Sequence, residues 1–272
     1  MSGAGADSEL VEARRDRRVT SLFAWYAERL LRRSFHAVRA TPGSHQELLA
    51  LGAADGPGLV LLTHASWWDP IVGALLWRRT LGGRPVLAPM DRRELERFRF
   101  MRKLGLFGID PDDPRSLGAM LGYVAGEVRR EPATVLMLTP PGRFTAPREP
   151  LVVRPGAAAL AARVGVRSAV AVAIEYAFGR ERKPEVFLAA RGIALETEPR
   201  ATAWQRAISA AMGEAAQQLA RAVRAREQAS FETWLGGESS VHPVYDWWLR
   251  LRGKRAGIEI GHRLGQGRGV QA

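Results

Sequence analysis

The 272-residue sequence contains no cysteine. That absence excludes a disulfide scaffold, a thiolate metal site and a thiol nucleophile together, because each needs a sulfur ligand or leaving group. No run of about eighteen uncharged apolar residues occurs either, so nothing in the sequence has the length and character of a membrane-crossing helix. The opening stretch from Met1 to Arg18 is polar and charged rather than built like a secretion signal, and the expectation is a cytoplasmic protein. Acidic residues are in the minority, with 28 Asp and Glu against 40 Lys and Arg, a formal net charge of +12. Such an excess serves nucleic acid, an anionic membrane face, phosphorylated substrates, or solubility alone, and charge does not separate these. Three glycine signatures are also absent. Without a P-loop or a Gly-x-Gly-x-x-Gly turn there is no nucleotide cradle, and without a Gly-x-Ser-x-Gly elbow a serine nucleophile has no platform.

What is present suits a folded enzyme-sized body. Apolar residues make up 46% and charged residues 25%, which excludes a disordered or repetitive chain and supplies one core with appendages. From Phe23 to Val38, Phe23, Tyr26, Ala27, Leu30, Leu31, Ser34, Phe35 and Val38 recur at helical spacing, predicting an amphipathic helix. Arg29, Arg32, Arg33, Leu22 and Trp25 fall off that stripe and form a second face suited to lipid headgroups, or to solvent if the helix merely docks. Residues 41–57 read as a polar link. Strand and helix patterns then alternate: strands at Leu59–Thr63, Pro85–Pro89, Leu106–Ile109, Thr134–Leu138, Ala169–Tyr176 and Val186–Ala190; helices at Pro70–Arg79, Ser116–Arg130 and Gly156–Val164. This is the pattern of a three-layer α/β fold, a largely parallel or mixed sheet flanked by helices. Thr202 with Gln205 reads as a capping box opening a long helix to about Arg226. The expected organisation is an amphipathic helix in 1–40, an α/β core in 41–200, a helical extension in 201–251 and a basic, disordered tail in 252–272.

The chemistry-bearing string is His64-Ala65-Ser66-Trp67-Trp68-Asp69-Pro70. Open α/β sheets gather functional groups at the carboxyl ends of their strands, where His64 stands. An imidazole takes a proton from an alcohol near neutral pH, and a carboxylate on its other nitrogen fixes the tautomer. Asp69 is the candidate carboxylate, provided a turn brings the two together. Asp followed by Pro is also how a helix starts, so a capping role competes. His36, His45, His242 and His262 lack ligand-spaced neighbours, and no metal site is expected.

The pattern His-x-Ser-x-x-Asp at His64, Ser66 and Asp69 resembles the first block of the glycerolipid acyltransferases, the 1-acylglycerol-3-phosphate acyltransferase-like family. Gly105-Leu106-Phe107-Gly108-Ile109-Asp110 resembles the second block, Thr139-Pro140-Pro141-Gly142-Arg143-Phe144-Thr145 stands where the third falls, and the strand ending Ile174-Glu175-Tyr176 looks like the fourth. The resemblance implies an O-acyltransferase of phospholipid biosynthesis. It would move a fatty acyl chain from acyl-CoA or acyl carrier protein to a hydroxyl of a lysophospholipid or related lipid, without a cofactor. His64 would be the general base and Asp69 its orienter, with Ser66, Gly142, Arg143 and Thr145 toward the substrate. Peripheral contact with the inner, anionic face of the cell membrane would follow, and nucleic acid is not an expected partner.

The departures are specific. The third block's Glu is Pro141, its Arg is Phe144 with Arg143 one place earlier, and the second block's Arg is Pro111. These positions are the ones expected to read a glycerol phosphate, which marks a divergent branch and opens an unphosphorylated glycosylated lipid as an alternative acceptor. The stretch Arg92, Arg93, Arg97, Arg99, Arg102, Lys103 suits phosphates of the donor, an acidic carrier protein or headgroups, or is a solvated helix face. Two further alternatives are a serine hydrolase using Ser66 and a non-catalytic basic protein that binds membrane or nucleic acid.

Overall fold

A computed structural model of the chain describes residues 10–147, 149–179, 181–194, 200–225 and 231–237. Eight strands form one mixed sheet: β1 (Ala37–Ala40), β2 (Gly58–Leu62), β3 (Val86–Asp91), β4 (Leu106–Ile109), β5 (Val135–Leu138), β6 (Ser168–Ala177), β7 (Glu185–Gly192) and β8 (Glu232–Gly236), in the order β4-β3-β5-β2-β6-β7-β1-β8. From β4 to β6 every pairing is parallel; β6 and β7 are antiparallel, β7 and β1 parallel, β1 and β8 antiparallel.

The helices are α1 (Arg17–Ser34), α2 (Ser44–Ala53), α3 (Asp69–Thr80), α4 (Arg92–Arg97), α5 (Pro114–Arg130), α6 (Gly156–Val164) and α7 (Ala201–Ala225), with a 3-10 helix at Arg99–Leu104. Strand parity sorts them into layers. Val60 and Leu62 of β2, with Val170, Val172 and Ile174 of β6, face a cluster holding Leu31 of α1, Leu48 and Leu51 of α2, and Val72 and Leu75 of α3. Leu59 and Leu61 face the other way, onto Val124 of α5, Leu160 of α6 and Trp204 and Ile208 of α7. A strand buried on both faces has no reason to alternate with polar residues, hence the unbroken Leu-Val-Leu-Leu run of β2.

Three expectations need correction. The amphipathic helix is earlier than 23–38: Asp16 caps it by accepting from the amides of Arg18 and Val19, and the chain turns extended at Phe35. Val38 belongs to β1, opposite Val186 and Leu235, because sheet pairing overrides the helical periodicity that runs through it. Tyr26, expected on the packing stripe, is exposed. The link at 41–57 contains α2, whose Leu48 and Leu51 are fully buried; Gly52 sits inside it because a Cβ there would strike the carbonyl of Thr80. The long helix does not open at a Thr202 cap. The Trp204 amide already donates to the Arg200 carbonyl, and Gln205 reaches the Val153 carbonyl instead. Trp247, Trp248, His242, His262 and the tail at 252–272 lie outside the described residues.

One buried ion ties the layers near the amino ends of β2 and β5. Arg84 donates to the carbonyls of Ala133 (2.9 Å), Leu51 (2.7 Å), Ala54 (2.9 Å) and Gly56, and the Trp77 indole donates to the Arg84 carbonyl. Burial pushes its pKa down, with the charge of Asp55 working the other way. Carbonyls at the carboxyl end of α2 are natural partners for a cation.

Candidate active site

The first crossover leaves β2 for β3 on one side of the sheet, while β6 lies on the other. That switch opens a crevice at the carboxyl ends of β2, β5 and β6. His64 stands two residues beyond β2, after Thr63 has tied that exit to β6 by donating its amide to Val172 and accepting from Ile174 on its hydroxyl.

Asp69 is the first residue of α3, and a tight turn brings it back onto the residues before it. Its Oδ2 accepts from His64 Nδ1 at 2.9 Å and from the amides of Ala65 (2.8 Å) and Ser66 (3.0 Å). Its Oδ1 accepts from the Tyr176 hydroxyl at 2.8 Å. The carboxylate is 1% exposed, whereas the His64 side chain is 23% exposed. Because the carboxylate is an acceptor, the proton sits on Nδ1 and Nε2 is the basic nitrogen. The helix-start reading of Asp69-Pro70 is met in altered form: Trp68 occupies the cap position without a side-chain bond, and Asp69 braces the turn ahead of it.

Tyr176 is the residue that sequence reasoning missed. Parity could have found it, since it continues the face of Val172 and Ile174 toward α3. Burial first, then the neighbouring Asp69 charge and hydrogen bond, push its hydroxyl far above the ordinary value. The group therefore keeps its proton and donates it. Phe35 packs against both Tyr176 (ring centroids 5.8 Å) and Trp68 (4.9 Å).

The loop after β5 supplies the outer wall. The Thr145 amide donates to the His64 carbonyl at 2.7 Å, and that of Gly142 closes a turn onto Thr139. Gly142 needs no side chain for two reasons: its φ is 65°, and a Cβ would press on the Arg154 guanidinium. Phe144 lies over the imidazole, centroids 4.2 Å apart, and the 74% exposed Trp67 lies beside Phe144 at 5.2 Å. Arg143 is not directed at an empty crevice; its side chain is 61% exposed and faces Glu149 at 3.7 Å. Thr145 is buried, its hydroxyl donating to the Arg143 carbonyl. The Ser66 hydroxyl accepts from the Trp68 amide at 3.3 Å, a turn contact. An open groove borders these residues, lined by Thr63, Ala65, Thr145, Leu151, Ala173 and Leu219 among others.

No protein-family model and no curated protein sequence matches the chain. Among solved structures the chain is similar to the 1-acyl-sn-glycerophosphate (LPA) acyltransferase, PlsC, from Thermotoga maritima. The identity is 16% and the TM-score 0.47, over 74% of this chain and 84% of that one.

Proposed function

We propose that the chain is an O-acyltransferase that moves a fatty acyl chain from a thioester of CoA or acyl carrier protein to a lipid hydroxyl. The observation that carries the reading is the His64–Asp69 pair, a partly exposed imidazole locked through one nitrogen at the mouth of an α/β crevice. The acceptor oxygen attacks the thioester carbonyl carbon while His64 Nε2 removes the hydroxyl proton. Collapse of the tetrahedral intermediate breaks the C–S bond, and the imidazolium returns the proton to the departing thiolate. The reaction needs no resident cofactor and no acyl-enzyme.

A specific observation favours a second reading of the acceptor. The position resembling a phosphate-reading Arg carries Phe144, stacked on the imidazole, and Arg143 already faces a carboxylate. An acceptor whose reactive hydroxyl sits on an unphosphorylated lipid, such as a glycosylated one, suits that aromatic wall better than lysophosphatidic acid.

Peripheral contact with an anionic membrane belongs to the same reading. Among the described residues no helix is long and apolar enough to cross a membrane. Leu22, Trp25 and Tyr26 are exposed on α1, Phe98 at the junction of α4 with the 3-10 segment and Phe100 on that segment, and Phe23 contacts both Tyr26 and Phe100. Arg29, Arg33, Arg97 and Arg99 are exposed around them.

The test is acyl transfer from radiolabelled acyl-CoA and acyl carrier protein to a panel of phosphorylated and unphosphorylated lipid acceptors. His64→Ala should lower turnover by about 10²–10⁴-fold, and Asp69→Asn by roughly 10–100-fold through loss of tautomer control, both with the parent's circular dichroism. Ser66→Ala should stay within a few-fold of the parent. Full activity in His64→Ala would refute the base assignment, and a trapped acyl-serine at Ser66 would convert the reading to a hydrolase.

A further inference from the structure

We infer that Tyr176 is a positioning residue of the His64–Asp69 pair, setting the basicity of His64 through the second oxygen of Asp69. The inference rests on the acyl-transfer reading only for its kinetic arm.

The geometry separates the two carboxylate oxygens. Oδ2 is taken by His64 and two backbone amides, all from the same turn. Oδ1 is taken by a single group from a strand 107 residues away. The turn holds the carboxylate by one edge, through Oδ2. The Tyr176 hydroxyl fixes the opposite edge. Its ring is itself held by Phe35, which also braces Trp68 at the start of α3, so tyrosine, carboxylate and helix start move as one unit.

The same bond has an electrostatic consequence. A donor on Oδ1 draws negative charge away from Oδ2 and weakens the attraction of Asp69 for an imidazolium. Removing that donor would return charge to Oδ2 and strengthen its hold on an imidazolium. Among the described residues, Glu149 and Glu175 line the neighbouring groove, and Arg143 and Arg154 belong to the loop after β5. Arg143 and Glu149 face each other, and Tyr176 is the side chain bonded to Oδ1.

Tyr176→Phe keeps the ring and removes the donor. The full-length variant is expected to melt near the parent, with kcat lowered about three- to tenfold at unchanged KM and the acidic limb of its pH–rate profile moved to higher pH. The His64 ring titration, followed by NMR and assigned with His64→Gln, should move in the same direction, while that of His45, packed on Trp234, stays in place. A His64 titration and acidic limb that coincide with the parent's would overturn the inference, even if the rate fell. The NMR arm needs no substrate: a moved titration without acyl transfer to any acceptor upholds the role of Tyr176 and sinks the functional reading. Efficient transfer with an unmoved titration does the reverse.

Discussion

Asp69 and Arg84 solve the same problem with opposite charges, since each is an ion taken out of water and given a full set of partners. Asp69 gathers four donors, three from its own turn and one from β6. Arg84 meets four backbone carbonyls, those of Leu51, Ala54, Gly56 and Ala133. Removing a buried partner leaves the full desolvation penalty of the groups it served. Arg84→Met should destabilise the fold by on the order of 3 kcal/mol or more, seen as a lower midpoint in urea with an unchanged slope; a change below about 0.5 kcal/mol would refute the clamp. The two ions differed in legibility. The His64–Asp69 pairing could be anticipated because five residues and a turn connect them. The Arg84 contacts could not, because a guanidinium among backbone carbonyls leaves no residue pattern, and Phe144 over the imidazole depended on a loop path that only the fold determines.

One carboxylate of helix α1 gathers three arginines. Glu28 bonds Arg32 of its own helix (3.0 Å) and Arg78 (3.1 Å) and Arg79 (2.9 Å) of α3, joining two helices whose buried residues also pack together. Burial works to raise the Glu28 pKa, but the guanidiniums outweigh it and hold the group below 4.5. A carboxyl depressed on folding adds stability above its unfolded pKa and loses it as pH falls through the folded one. Glu28→Gln should therefore lower the melting temperature by about 2–4 °C at neutral pH, and the gap should close as pH drops below 4.5; a gap that persisted in acid would show that the loss was steric. At this scale the central strands and α3, α5 and α6 were readable because long apolar runs and helical spacing mark them. The short pieces β1, α2 and β8 were not: four, ten and five residues, they draw their stability from neighbours distant in sequence.

Over the whole molecule, α4 leaves the sheet at the carboxyl end of β3, the edge that also carries His64, since β3 runs parallel to β5 and β5 to β2, and the 3-10 segment carries the chain back to the amino end of β4. The exposed aromatic and arginine surface along that segment continues onto α1, where Phe23 meets Phe100. In flotation assays the protein should bind vesicles containing anionic lipid, lose binding as salt rises, and bind neutral vesicles weakly. A combined Trp25→Ser, Phe98→Ser, Phe100→Ser variant should bind at least about tenfold more weakly. Equal binding to neutral and anionic vesicles would eliminate this surface as the reason for the net charge of +12. The sheet order bears on biogenesis as well. β1 precedes β2 to β6 in the chain, yet its neighbours are β7 and β8, with Val38 paired to Val186 and Leu235. On the ribosome β1 therefore has no partner strand until β7 has been made, so closing that side of the sheet is a long-range step of the kind that slows folding.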